Sequence, residues 1–304
     1  MMKGTDGLEM EEELQRCREL VEERLSGIFA CSATYGRLLD SMRYTLLAGG
    51  KRIRAVMCIK FCEAAGGDLE KAMGAACAIE MLHAYSLIHD DLPCMDDDGM
   101  RRGKPSNHVE FGEFTAVLAG DALQAAAFET LLACGLPPAD VVRMGAVLAR
   151  AAGPHGICGG QYLDLIGSAA GRGNCPEGAQ DGLTEIHMMK TAALIAASAK
   201  LGVMAAGGGQ EQVRAAEEYA LGVGLAFQIR DDLLDCTSTS EALGKPAGSD
   251  TGTGKTTFAT LFGERECEAM IRAQTEKATA AIVGRFENSG FLIWLANYLA
   301  GRNN

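Results

Sequence analysis

Apolar positions recur along this chain at helical rather than strand spacing. Ala, Leu, Met and Ile return every three or four residues through long windows, and alternation at period two is almost absent. The windows predict helices over 9–28, 34–47, 51–65, 69–92, 110–133, 138–152, 155–166, 182–206, 210–235, 255–285 and 290–300. Most of the 7 prolines fall at window ends or in loops. Two stretches read as loops: Gly167–Gly182, and the Ser-, Thr- and Gly-rich Thr237–Gly254. Neither has the length or composition of a domain linker. The three glycines at 207–209 read as a helix stop. No repeat of solenoid period is present. The expectation is one all-α domain spanning 1–304.

Composition narrows the function. With 48% hydrophobic and 22% charged residues in 304, wholesale disorder is excluded and a large core is affordable in length. The net charge of −12 excludes the basic footprint of a nucleic-acid binder. The 11 cysteines show no CxxC and no Cys/His ligand spacing, with Cys58 and Cys62 one helical turn apart, so a zinc site is not expected. The start, MMKGTDGLEMEEEL, is acidic and lacks the apolar core of a signal peptide. The apolar run Phe291–Ala300 is about half of what a bilayer span needs. A soluble, cytoplasmic protein with reduced thiols is the expectation.

Two acidic clusters dominate the chemistry: HDDLPCMDDD at 89–98 and DDLLD at 231–235. An isolated acidic run is commonly a solvated helix face. Here Asp90 and Asp91 follow MLHAYSLIH, and Asp231 and Asp232 follow GLAFQIR, so the carboxylates emerge from apolar sequence. Like charges at the rim of a core repel, and a hard divalent cation with oxygen ligands removes that penalty. Asp231 and Asp235 are i and i+4 on one helix face, with Gln228 a turn earlier. Pro93 breaks the helix three residues after Asp90, which lets Asp96 return toward Asp90. His83, seven residues before Asp90, lies about 10 Å away along the same face.

Mg²⁺ is usually held by one or two carboxylates together with substrate phosphates, so the two runs could clamp a diphosphate through bridging metals. Such a ligand needs basic residues, which cluster beside the acidic runs. GGKRIR at 49–54 supplies Lys51, Arg52 and Arg54 after Gly49 and Gly50. Arg101, Arg102 and Lys104 follow the first cluster, Lys190 lies in the helix after the first loop, and Lys245 and Lys255 follow the second cluster. Arginine suits bidentate phosphate contact and lysine acts as a point charge. GTGKTT at 252–257 is not a phosphate loop: position 249, where the pattern needs glycine, is Ser249, and no strand precedes it.

GGKRIR, DDLPCMDDDGMRRGKPSNH, GGQYLD at 159–164, MKT at 189–191 and FQIRDDLLD at 227–235 together resemble the trans-prenyltransferases, the short-chain isoprenyl diphosphate synthases, across nearly the whole chain. HAYSLIHDDLP is especially similar to the bacterial farnesyl diphosphate synthases (geranyltranstransferases). The resemblance implies a helical barrel around a central cavity, a homodimer, and three Mg²⁺ ions with substrate bound. It implies that Asp90 and Asp96, with Asp91 nearby, hold two ions on the allylic diphosphate, and that Asp231, next to Asp232, holds the third. Arg101, Lys190, Thr191, Gln228, Lys245 and Lys255 would contact that diphosphate. Gly50, Lys51, Arg54, His83 and Arg102 would bind isopentenyl diphosphate. Tyr85 and Ser86, five and four residues before Asp90, would set chain length, and farnesyl diphosphate is the expected product. Departures from the family pattern are Ala55, Gly99 and Ala193, none of them an implied ligand. The alternatives are a geranylgeranyl diphosphate synthase, a terpene cyclase, for which GGKRIR and Arg102 would be unexplained, and a non-catalytic helical subunit, which should have lost Asp ligands.

Overall fold

The computed structural model describes residues 4–169, 179–237 and 257–302. It is all-α apart from one two-stranded ribbon. The chain forms two compact units, Met1–Ala146 with Leu201–Gly208, and Val147–Lys200 with Gly209–Asn304.

The first unit carries α1 (Gly4–Gly27), α2 (Gly36–Leu46), α3 (Ile53–Ala64), α4 (Leu69–Asp90), β1 (Met100–Arg101), β2 (Lys104–Pro105), α5 (Asn107–Phe111) and α6 (Glu113–Leu132). Helix α4 is its centre, packed by α3 on one side and α6 on another. Asp68 starts it, its carboxylate accepting from Lys71 N at 3.1 Å. Ala, Met, Leu and Ile then bury almost all round, and Pro93 follows the end. Small residues set the helix spacing: a Cβ on Gly74 would overlap Cys134, and one on Gly120 of α6 would overlap the His89 ring.

The second unit carries α8 (Ile157–Ala169), α9 (Ala179–His187), a π-turn (Met188–Ala192), α11 (Gln210–Thr237), α12 (Phe258–Ile282) and α13 (Gly290–Ala300); α7 (Pro138–Ala152) and α10 (Ala193–Ala205) contribute residues to both units. Helix α11 lies against α12, α13 and the π-turn. Thr257 begins α12 with a reciprocal cap: its hydroxyl accepts from Thr260 N at 3.2 Å, and Thr260 Oγ1 accepts from Thr257 N at 2.9 Å. Leu183, Ile229, Leu233, Phe258 and Ile271 form the core between these helices.

The helix windows stand, with local differences. The 110–133 window is cut at Gly112, whose φ of +89° only glycine adopts readily, so a short α5 precedes α6. The 182–206 window contains the π-turn, and the 255–285 window is interrupted at Gly263. Both ends of the first predicted loop are helical, since α8 runs on through Ser168 and Ala169 and α9 starts at Ala179; the rest of it, and the second predicted loop beyond Thr237, lie outside the described residues. The ribbon pairing Met100 with Pro105 is too short to give an alternating pattern. Asp181–Ala205 passes the length and apolarity test for a membrane span, but 61% of its most apolar window is buried, as in a core helix.

Candidate active site

In the first unit the acidic run is shaped by backbone bonds. After α4, Met95 N donates to Leu92 O at 2.8 Å and Asp97 N to the same carbonyl at 3.1 Å. Asp96 N then donates to Asp90 O at 2.9 Å, so the turn brings Asp96 back onto Asp90. Asp91 is buried and accepts from Arg101 Nε at 2.9 Å, and Arg101 also reaches Asp98 at 3.2 Å. Burial pushes the Asp91 carboxyl up, and the Arg101 hydrogen bonds offset that only in part. Arg101, expected to face a diphosphate, is thus held by the motif itself.

The GGKRIR segment divides its cations. Arg52, in a left-handed conformation at φ +49°, turns inward to Glu80 at 3.1 Å and to Leu46 O at 2.7 Å. It is structural, not an anion ligand. Arg54, two residues on, lies 3.5 Å from His83 Nε2. Burial, then the surrounding Arg54, Arg102, Arg52 and Arg101, hold the His83 pKa well below 6.5, so the ring is neutral at neutral pH. Arg102 donates to Gly49 O and lies flat against Gly50, at φ +126°, where a Cβ would stand 3.0 Å from the guanidinium. Gly50, Arg54, His83 and Arg102 are therefore gathered in one place, beside Lys51.

Tyr85 and Ser86 part company. Ser86 is i−4 to Asp90, directly beneath it, with its hydroxyl donating to His83 O at 2.9 Å. Tyr85 lies on the next stripe and meets His89 edge-on at 5.8 Å, while His89 Nε2 stands 3.0 Å from Val117 O on α6. The Tyr85 ring therefore lies toward the seam between α4 and α6.

The second unit joins three expected residues into a chain. Thr191 Oγ1 donates to Gln228 Oε1 at 3.0 Å, Gln228 Nε2 donates to Asp232 Oδ1 at 3.2 Å, and Asp232 Oδ2 accepts from Phe258 N at 2.9 Å. Asp232 and Asp235 are buried, whereas the Asp231 side chain is 41% exposed. Lys190 sits in the π-turn, a distortion frequent at functional sites, and donates to Asp164 of GGQYLD at 2.8 Å. Gly160 makes room: a Cβ there would overlap the Lys190 backbone. Asp164, Glu80 and Arg302, which pairs with Asp231, were not foreseen as partners. Only Asp164 had a signal, its place in GGQYLD. Lys245 and Lys255 lie outside the described residues.

The Asp motifs suit a hard cation. Each already carries a cation on a carboxylate, Arg101 on Asp91 and Arg302 on Asp231, and the donors are all oxygen. Among the described residues, no three of the His, Cys, Asp and Glu side chains converge to hold an ion alone.

The model of the polyprenyl synthetase family matches residues 36–288. The chain belongs to that family. It is an enzyme that elongates prenyl chains, and its fold is the all-α isoprenyl synthase fold. A chloroplastic geranylgeranyl pyrophosphate synthase of Arabidopsis thaliana is 46% identical over 269 residues, covering 87% of this chain and 74% of its own. An FPP/GFPP synthase from Zymomonas mobilis superposes with a TM-score of 0.85 at 31% identity, over 97% of this chain and 100% of its own. A geranyltransferase from Helicobacter pylori, complexed with magnesium and isoprenyl diphosphate, does so at 0.80 and 29%, covering 95% of each chain.

Proposed function

We propose that this prenyltransferase condenses isopentenyl diphosphate with allylic diphosphates and releases geranylgeranyl diphosphate. The observation that carries the product length is Ser86. It is small and stands about 6 Å beneath Asp90 on the same face, while the Tyr85 ring is turned aside onto His89. A growing tail below Asp90 meets a serine first. The relatives named geranylgeranyl pyrophosphate synthase support the same length. Farnesyl diphosphate, the product expected from sequence, is the second reading; it is favoured by the aromatic Tyr85, only 4% exposed beside that stripe.

Chromatography of dephosphorylated products decides. Wild type should give twenty carbons, Tyr85→Ala should leave that unchanged, and Ser86→Phe should shorten it to fifteen. A fifteen-carbon wild-type product that lengthens in Tyr85→Ala establishes the farnesyl reading with Tyr85 as floor.

In this reading Asp90, Asp96 and Asp231, helped by Asp91 and Asp232, hold Mg²⁺, three ions with substrate bound. When bound, the metal neutralises charge on the leaving diphosphate and so favours ionisation of the allylic carbon. Lys190, Thr191, Gln228 and Arg101 orient the allylic diphosphate, with Lys245 and Lys255 as further cations. Gly50, Lys51, Arg54, His83 and Arg102 hold isopentenyl diphosphate so that its double bond meets the allylic carbon. A proton is then lost to the departing diphosphate. Apolar walls keep water from the cation.

The two anion sites give a kinetic signature. Arg54→Ala should raise KM for isopentenyl diphosphate about tenfold or more while shifting that of the allylic partner little, as loss of a charge-assisted phosphate contact requires. Lys190→Ala should show the opposite bias. Initial rates with each substrate varied in turn check this, and equal effects in both variants would sink the assignment.

The two units serve as one polyprenyl synthase domain, a reading supported by a family match that runs through both. A homodimer fits the outer face of α6, where Phe114, Leu118 and Leu132 are 76%, 51% and 63% exposed. Among the described cysteines there is no disulfide, which suits a reducing compartment, here taken as the cytoplasm.

A further inference from the structure

Arg302 lies two residues past α13, yet its guanidinium sits on the second Asp motif. It donates to the Asp231 carboxylate and to Phe227 O at 3.3 Å, and its central carbon stands 3.8 Å over the Phe227 ring. Phe227 and Asp231 are i and i+4, so one face of α11 receives the arginine at three points. The approach of the chain end is fixed nearby. Arg230 Nε donates to Ala300 O at 2.8 Å, and the same guanidinium pairs with Glu268 of α12 at 2.6 and 3.0 Å. The Arg302 side chain is 9% exposed, whereas Asp231 is 41% exposed. A guanidinium so enclosed requires an anion, and Asp231 is that anion.

We infer that Arg302 is the resident counter-cation of Asp231 and sets the divalent-metal affinity of the second Asp motif by competing for its carboxylate. This rests on the reading of Asp231 as a metal ligand. The physical argument is charge balance. Asp231 adjoins Asp232 and, one turn on, Asp235, both buried. Without Arg302 the Asp231 charge has one fewer cation beside it, and an arriving divalent ion gains more. With Arg302 present, the ion enters a carboxylate already neutralised. The arginine also gives Asp231 one orientation, so it is a positioning residue rather than a catalytic one.

The test uses the full-length enzyme and Mn²⁺ alone as the probe, with bound ion counted by electron paramagnetic resonance. Arg302→Gln should tighten Mn²⁺ binding at one site roughly three- to tenfold, the range of a partly exposed, charge-assisted pair. Arg302→Lys, which keeps the charge, should stay near wild type. In an Asp231→Asn background, that site should weaken and Arg302→Gln should have no further effect. If Asp231→Asn weakens the site but Arg302→Gln leaves it unchanged or weaker, the counter-cation role is overturned while the ligand reading survives. If Asp231→Asn leaves Mn²⁺ binding as in wild type, the ligand reading falls and the proposal with it. Should Arg302→Gln fail to fold, a chain ending at Gly301 and Arg302→Lys carry the same comparison.

Discussion

Asp90→Asn and Asp231→Asn are each expected to lower kcat by about a thousandfold or more, with the fold retained. Asp90 ends α4 and Asp231 lies inside the last two turns of α11, both at partly exposed positions, so an isosteric amide costs little packing. In the proposed function, what it removes is the negative charge that would hold a cation against the leaving diphosphate, an interaction strongest when charge develops in ionisation. The loss should therefore appear in kcat and not be cured by saturating substrate. Asp231→Asn also takes the partner from Arg302, so a modest fall in Tm accompanies it. Circular dichroism, thermal melts and turnover at saturating Mg²⁺ check all three points. Variants that fold and turn over at near wild-type rate would make the clusters structural.

Much of this arrangement was legible because it is local. Helices written in Ala, Leu, Met and Ile announce themselves through spacing, and Pro93 after Asp90 announces the turn that returns Asp96. Ser86 beneath Asp90 follows from helix geometry alone. What was not legible depends on partners distant in sequence. Arg52 and Arg54 look alike within GGKRIR, but one faces Glu80, 28 residues on, and the other faces His83. Nothing near Arg302 signals Asp231, 71 residues earlier. Tyr85 was read from its place in the sequence, whereas its direction is set by His89, and the room for His89 is made by Gly120 of α6. Local pattern gives the face of a helix; which element covers that face is a property of the packed chain.

Glu80→Ala is expected to destabilise the protein by up to about 3–5 kcal/mol, because the buried Arg52 loses its buried partner and keeps only the longer 3.4 Å contact to the part-exposed Glu22. Arg52 and Glu80 are among the most enclosed charges described, with side chains 3% and 2% exposed. Removing Arg52 alone should cost a similar amount, since Glu80 is then stranded. Replacing both with apolar residues of like volume, Arg52→Met with Glu80→Leu, should recover a large part of the loss, because two desolvation penalties vanish together. Urea denaturation of the four proteins checks the pattern, and single losses that simply add in the double variant would deny the coupling. The pair also bears on function. Glu80 Oε1 accepts from Ala55 N at 3.2 Å, one of the amides at the start of α3 that has no partner within its own helix. That contact seats the first turn of α3, and with it Arg54 beside His83. The milder Glu80→Gln keeps an acceptor for Ala55 but loses the charge facing Arg52. It should fold, and it should raise KM for isopentenyl diphosphate through a shifted Arg54 while KM for the allylic substrate stays within about twofold. A rise in both constants together would mean that the pair supports the fold in general rather than the seat of Arg54.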